Sequence, residues 1–154
     1  GLYNRFGFEQ AFLETQEKAK RIESRGMVLV LVDLDKFKSI NDKYGHSVGD
    51  KALTWFSTLL LRSCRKSDVV GRSGGDECIL LLWECDLEQC HEFLTRFAKR
   101  CKGSPVPDMD VPLFVSASFG MCQISDDKPL DDLLLCADKN LYSAKSSVYQ
   151  EAVS

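Results

Sequence analysis

Apolar positions along the chain follow two rhythms that take turns. Phe8, Ala11, Phe12, Thr15, Ala19 and Ile22 recur at helical spacing and predict an amphipathic helix over Glu9 to Ser24, stopped by Gly26. Met27 to Val32 is an unbroken apolar run, rich in β-branched residues and too short for a helix, so it predicts a central strand buried on both faces. Phe37, Ile40 and Tyr44 then mark one face of a helix ended by Gly45. Ala52, Leu53, Phe56, Leu59 and Leu60 form a broad stripe on the next helix, which Asp50 can cap and which runs to about Ser63.

Two short apolar runs, Val69-Val70 and Ile79 to Trp83, flank Gly74-Gly75-Asp76-Glu77. They predict a β-hairpin whose glycines supply positive φ angles, with two carboxylates beside its tip. Glu84 to Lys102 predicts a helix with Leu87, Cys90, Phe93, Leu94, Phe97 and Cys101 inward, followed by a loop through Pro105 and Pro107. Val111 to Ile124 reads as strand, with Ser116, Ala117, Ser118 and Gly120 small enough for another element to pack closely over it. Leu130 to Ser146 predicts the last helix, with Leu133, Leu134, Ala137, Leu141 and Ala144 inward. Strands and helices in this order suggest a mixed sheet with helices on its faces, an α/β or α+β layer.

Composition narrows the functional classes. A chain of 154 residues fits one domain with a proper core, and its net charge of -3 argues against general binding to nucleic acid or anionic membrane. Any anionic ligand must therefore meet a local cluster of cations. The seven cysteines are odd in number and hold no C-x-x-C pair, so neither a disulfide framework nor a zinc site is expected, and a reducing cytosol suits them. The longest apolar run near the start is six residues, too short for a membrane span or signal-peptide core, which predicts a cytoplasmic domain with no anchor of its own.

The acidic residues stand where structure alone gives them little reason to be. Asp33 and Asp35 lie at a strand-to-helix junction, and Asp76 and Glu77 directly follow the hairpin turn. If the hairpin pairs with the central strand, the two sites meet. At roughly 4 Å, two unit charges repel by about 4 kcal/mol at an effective dielectric of 20. A divalent cation removes that defect, and magnesium also binds phosphates.

With these segments in view, the chain resembles a GGDEF domain, the catalytic domain of diguanylate cyclases. Gly74-Gly75-Asp76-Glu77-Cys78 occupies the signature position, and Gly1-Leu2-Tyr3-Asn4-Arg5 is similar to the family's opening turn. Asp33-Leu34-Asp35-x-Phe37-Lys38-x-x-Asn41-Asp42 resembles its metal and base segment, and Gly45-His46-x-x-Gly49-Asp50 the following loop. Ser118-x-Gly120 and Ala137-Asp138-x-x-Leu141-Tyr142-x-Ala144-Lys145 resemble its later blocks.

The resemblance implies an α+β palm fold like that of nucleotide cyclases, with a central, mainly antiparallel five-stranded sheet wrapped by helices and an added hairpin carrying the signature. It implies a single GGDEF domain over 1–154, excised from a longer sensor protein and serving as its cytosolic output domain. The implied reaction condenses two GTP into cyclic di-GMP and two pyrophosphates across a head-to-head homodimer. A catalytically weak module that binds GTP or cyclic di-GMP for a partner domain is the alternative.

Residue by residue, the resemblance implies that Asp33, Asp76 and the Leu34 carbonyl hold Mg²⁺ or Mn²⁺, two per active site. Asp76 matches the proton acceptor, with Glu77 as a further candidate, and Lys38 and Arg72 match cations near the phosphates. Asn41 and Asp50 match the guanine readers, His46 lines the same pocket, Lys145 matches a triphosphate contact, and Gly74 and Gly75 lie among the substrate contacts. Arg65 and Asp68 form an R-x-x-D where the family's product-inhibition site lies. Asp35, Lys36 and Asp42 read as solvated helix charges. Two departures stand out: Cys78 replaces the phenylalanine of the signature, and Val148-Tyr149 replaces the usual Gly-Arg, removing a cation expected at the terminal phosphates.

Overall fold

The computed structural model describes residues 2–21, 26–124 and 128–143. Met27–Leu34 forms β1, and six of its eight residues, Met27 to Val32, lie in one unbroken buried run that stops before half-buried Asp33. Along β1 the side chains alternate between two cores. Val28, Val30, Val32 and Leu34 face one core, built with helices α3 (His46–Ser63) and α4 (Leu87–Gly103). Met27, Leu29 and Leu31 face the other, with Phe8 and Phe12 of α1 (Arg5–Arg21) and Leu130, Leu133 and Ala137 of α5 (Leu130–Lys139). Each fully buried side chain of this size is worth about 1.5–3 kcal/mol, so β1 is the keel of the domain.

The remaining strands are β2 (Val69–Arg72), β3 (Glu77–Trp83), β4 (Ala117–Ile124) and the two-residue β5 (Tyr142–Ser143). The sheet order is β2-β3-β1-β4-β5, and every neighbouring pair is antiparallel. This is the α+β palm arrangement with β1 central, and the signature hairpin β2–β3 is built into the sheet as its flank. Tyr3 bridges Gly71 in parallel, so the opening turn covers the outer side of β2.

Two glycines set how closely helices approach the sheet. A Cβ on Gly71 would stand 2.7 Å from the Phe8 ring, and one on Gly120 would stand 1.9 Å from the Ala137 carbonyl oxygen. The expected close packing over Gly120 is therefore helix backbone on strand backbone. One bridge forms where no disulfide framework was expected: Cys122 on β4 and Cys136 on α5 form a disulfide with Cα atoms 5.8 Å apart. That separation suits a bridge, but it arises from tertiary packing that cysteine spacing does not encode. The other cysteines, at 64, 78, 85, 90 and 101, are free.

Several element boundaries differ from the hydrophobic pattern, each for a local polar reason. α1 begins at Arg5 because the Asn4 side chain accepts the Gly7 N–H at 2.7 Å, an N-cap outside the apolar stripe. α2 (Phe37–Tyr44) passes straight into α3 through Gly45, whose φ of 90° ends one helix and starts the next. Asp50 therefore lies inside α3 and is not its cap. α4 starts at Leu87, behind a capping box in which Asp86 and Gln89 satisfy each other's backbone N–H. β4 starts only at Ala117, and α5 stops at Lys139 where a helix to Ser146 was expected. There the Asn140 amide donates to the Met121 carbonyl at 2.9 Å, drawing the chain onto β4, where Tyr142 and Ser143 pair with Phe119 and Ser118. Lys145, Val148 and Tyr149 lie outside the described residues. No helix among the described residues is long and apolar enough to cross a membrane.

Candidate active site

Three strands bring the acidic residues to one end of β1. Asp33 pairs with Glu77 of β3 on one side and with Ser118 of β4 on the other, and the Leu34 N–H donates to the Asp76 carbonyl at 3.0 Å. By strand alternation Asp33 and Glu77 both project to the face that carries α1 and α5. The Asp33 carboxyl is pushed up from 3.8 to about 6, first by burial and then by the carboxylates of Asp76, Glu77, Asp35 and Asp138. A raised carboxyl of this origin marks negative charge without a compensating cation.

Among the described residues no three His, Cys, Asp or Glu side chains are grouped to hold a metal ion by themselves. Asp33 and Asp76 with the Leu34 carbonyl nevertheless offer hard oxygens of the kind magnesium takes. That ion commonly binds through one or two carboxylates and completes its octahedron with waters and substrate phosphates. The donor chemistry and the uncompensated charge at Asp33 thus fit the ion implied by the resemblance.

Asp35 was expected to be a solvated helix charge, and it is not. It sits in the two-residue turn between β1 and α2, where its carboxylate accepts the Ser116 hydroxyl at 2.9 Å and the Ser118 hydroxyl at 2.7 Å. Its own N–H donates to the Ser116 carbonyl at 2.8 Å. Lys36, next in the turn, takes a left-handed φ of 56°, uncommon outside glycine and tolerated only where surrounding contacts hold it. This clamp fixes the turn that carries the Leu34 carbonyl on one side and Lys38 on the other. Sequence reasoning missed the group; the small hydroxyl residues two positions apart, Ser116 just before β4 and Ser118 within it, were its only trace.

The signature loop is open. Ser73 and Gly74 N–H both point to the Glu77 carbonyl, at 3.0 and 3.4 Å. Neither Gly74 nor Gly75 has a positive φ, contrary to the expected tight turn, and a Cβ on Gly75 would meet none of the described residues within 4 Å. Exposed Arg72 donates to the Gly75 carbonyl at 3.5 Å. Arg5 reaches the same loop, with Nη1 3.5 Å from Ser73 Oγ and Nη2 in an ion pair with Asp131 of α5 at 3.1 Å. Lys38 is exposed in the first turn of α2.

The expected base-reading residues meet at the α2–α3 corner. His46 and Asp50 are one helical turn apart on α3, both exposed, so they share a face. The Asn41 side chain lies over Gly49 so tightly that a Cβ there would be 1.7 Å from its Oδ1. That oxygen is buried and has no hydrogen-bond partner among the described residues, a costly state that a ligand donor would relieve.

Arg65 and Asp68 lie apart from this group, past the end of α3. The Asp68 side chain is 3% exposed and accepts the N–H groups of Arg65 at 2.9 Å and Trp83 at 3.3 Å. The Arg65 guanidinium, 59% exposed, pairs with Asp68 at 3.5 Å and donates to the Trp83 carbonyl. In the free domain Asp68 therefore anchors Arg65, and the arginine is the accessible partner. Both line a cavity of about 340 Å³ with Glu84, Cys85, Phe93 and Arg96.

Comparison with known proteins agrees with this geometry. Residues 1–150 match the family model described as "Diguanylate cyclase, GGDEF domain". The chain is 32% identical over 94% of its length to the diguanylate cyclase DgcP of Pseudomonas aeruginosa. It is 34% identical over 95% of its length to the cyclic di-GMP phosphodiesterase NbdA of the same organism. It spans only 22% and 18% of the lengths of these two relatives. The crystal structure of the GGDEF domain of YfiN (TpbB) from Pseudomonas aeruginosa superposes with a TM-score of 0.80 at 26% identity, covering 90% of this chain and 86% of that one. A family match across nearly the whole chain, with the matching fold beneath it, shows that this chain belongs to the GGDEF domain family.

Proposed function

We propose that this domain is a diguanylate cyclase, condensing two GTP into cyclic di-GMP with release of two pyrophosphates. The observation that carries the reading is the placement of Asp33 opposite Glu77, with Asp76 adjacent, at the open end of the central strand. Such a cluster is a liability in a protein with no cation to place there.

Each half-reaction joins a 3′-oxygen to the α-phosphorus of the other GTP and breaks that phosphorus's bond to pyrophosphate. Asp76, with Glu77 beside it, takes the proton leaving the 3′-hydroxyl. Lys38 and Arg72 meet the negative charge that builds on the phosphates, where a fixed cation stabilises the transition state more than the ground state. Bound through Asp33, Asp76 and the Leu34 carbonyl, magnesium would neutralise phosphate charge and lower the pKa of the attacking hydroxyl. Asn41 and Asp50 read guanine: the amide pairs with ring acceptors or donors, and the carboxylate accepts from N1–H and the 2-amino group together. The open space at Gly75 supports close approach of the triphosphate to the hairpin backbone. Because each active site holds one GTP, the reaction requires two copies of the domain face to face.

Arg65 and its cavity support a second, inhibitory site for the product, since an arginine forks onto a guanine or phosphate edge and the site stands away from the hairpin. A domain that binds GTP or cyclic di-GMP and turns over weakly is the other reading, favoured by Tyr149 in place of the family's arginine. Incubating the domain, held as a dimer, with GTP and Mg²⁺ and resolving products by chromatography separates the two. Cyclic di-GMP in amounts far above the enzyme supports the cyclase, and GTP binding without product supports the sensor.

A further inference from the structure

Cys85 and Cys90 stand on either side of the Asp86–Gln89 capping box that turns β3 into α4. Those two positions ordinarily carry an apolar pair packed together at a helix start. Here the pair is two thiols. Cys90 is fully buried, whereas Cys85 is 6% exposed and forms part of the wall of the Arg65–Asp68 cavity. The Cys85 thiol also donates to the Asp86 carbonyl oxygen at 3.3 Å, which holds the side chain in place.

The two thiols are not equivalent. A hydrogen bond from the Cys90 thiol lowers the Cys85 pKa, and the Arg65 guanidinium lowers it further, against burial and the carboxylates of Asp86 and Asp68. The same bond, with burial, pushes the Cys90 thiol up, so it keeps its proton. Burial pushes the other free thiols up as well, Cys64 to about 12 and Cys78 and Cys101 each to about 11. One thiol in a cavity wall beside a cation, set across the capping box from a second that can replace an oxidised group, is the arrangement of a peroxide-sensitive cysteine and its resolving partner.

We propose that Cys85 is an oxidant-sensitive modification site in the wall of the Arg65–Asp68 cavity, with Cys90 as its resolving partner. The Cys85 thiolate attacks a hydroperoxide, the O–O bond breaks, and the departing oxygen leaves as water or alcohol after taking a proton, giving a sulfenic acid. The Cys90 sulfur then attacks the Cys85 sulfur, the S–O bond breaks, and hydroxide leaves as water with the Cys90 proton. In sum, two thiols lose two electrons and two protons to the peroxide and form a disulfide. That bridge would bind the first turn of α4 to the end of β3 and reshape the cavity wall beside Arg65. The regulatory consequence, weaker binding of a guanine dinucleotide, rests on the reading of Arg65 and Asp68 as a product site.

The test treats the reduced whole chain with equimolar hydrogen peroxide, with and without dimedone, and maps cysteines by peptide mass spectrometry. The expected result is a Cys85–Cys90 disulfide without dimedone, a dimedone adduct on Cys85 with it, and an enhanced adduct in Cys90→Ser. Both should form before any change at Cys64, Cys78 or Cys101, and dithiothreitol should reverse the disulfide. First reaction at one of those three cysteines, with Cys85 still reduced, overturns the proposal without needing a variant. Calorimetry with cyclic di-GMP then compares reduced and oxidised protein, and at least about fivefold weaker binding after oxidation is expected. Unchanged binding overturns the regulatory half. Absence of binding to the reduced protein overturns the product-site reading, while the peptide map still decides the thiol chemistry.

Discussion

Asp33 and Glu77 are direct cross-strand partners in the antiparallel β1–β3 ladder, two carboxylates where sheets ordinarily place opposite charges or apolar pairs. Like charges so placed weaken a sheet, and burial first, then this repulsion, raises the Asp33 carboxyl to about 6. The fold tolerates the cost at one end of its best-buried strand, where six apolar residues hold the register.

Asp33→Asn should therefore stabilise the metal-free protein at neutral pH while abolishing turnover. A carboxyl whose folded pKa is raised above its unfolded value favours the folded state most at low pH, and that contribution is lost as pH rises through about 6. Thermal scans without divalent ions should show the wild type losing several degrees between about pH 5 and pH 8 relative to Asp33→Asn, with millimolar Mg²⁺ narrowing the gap. A variant no more stable than wild type near pH 8 would contradict the uncompensated charge.

Two glycines separate structural from functional need. Gly120→Ala would force a Cβ to within 1.9 Å of the Ala137 oxygen, so it should cost at least ~2 kcal/mol, read as a lower Tm or urea midpoint. Gly75→Ala meets none of the described residues within 4 Å and should leave stability within ~0.5 kcal/mol, yet raise the KM for GTP about tenfold or more by crowding the triphosphate. An unchanged KM would show that the phosphates do not pass over the loop.

Asp50→Ala should erode the preference for GTP over ATP. Adenine presents an acceptor at N1 and no 2-amino group, so the wild-type carboxylate faces an acceptor and rejects it. Competition binding should show discrimination falling by about tenfold or more, as expected for the loss of a charge-assisted hydrogen bond. Equal discrimination in both proteins would place base selection elsewhere.

Arg65→Ala should relieve inhibition by cyclic di-GMP in progress curves, leaving the rate before product accumulates within about twofold. Inhibition of unchanged strength would remove the arginine from the product site.

The unbroken apolar run of Met27 to Val32 and the stripes of α3 and α4 made the sheet and its helix layers legible, because burial imposes period and length on the sequence. The polar switches were less legible. Asn4 capping α1, Gly45 joining α2 to α3 and Asn140 bending the chain onto β4 each act through one side chain or one φ angle, which hydrophobic periodicity does not register. The same holds within the site: Asp33, Asp76 and Glu77 stood out as clustered acids, whereas Asp35 looked like a surface charge. Its role emerges only when β4 brings Ser116 and Ser118 beside it, across more than 80 residues of chain. Cys122 and Cys136 were hidden for the same reason, since backbone contact at Gly120 brings them together.

The most direct test of the account is product formation by the dimerised domain with GTP and Mg²⁺, measured beside Asp76→Asn under identical conditions. The account predicts steady accumulation of cyclic di-GMP and pyrophosphate by the wild type. It also predicts a loss of at least about a thousandfold in Asp76→Asn with the fold intact and Tm no lower than wild type, because an amide replaces neither the charge nor the proton acceptor. Cyclic di-GMP formed at comparable rates by both proteins, or by neither when GTP is shown to bind and the dimer to persist, would contradict it.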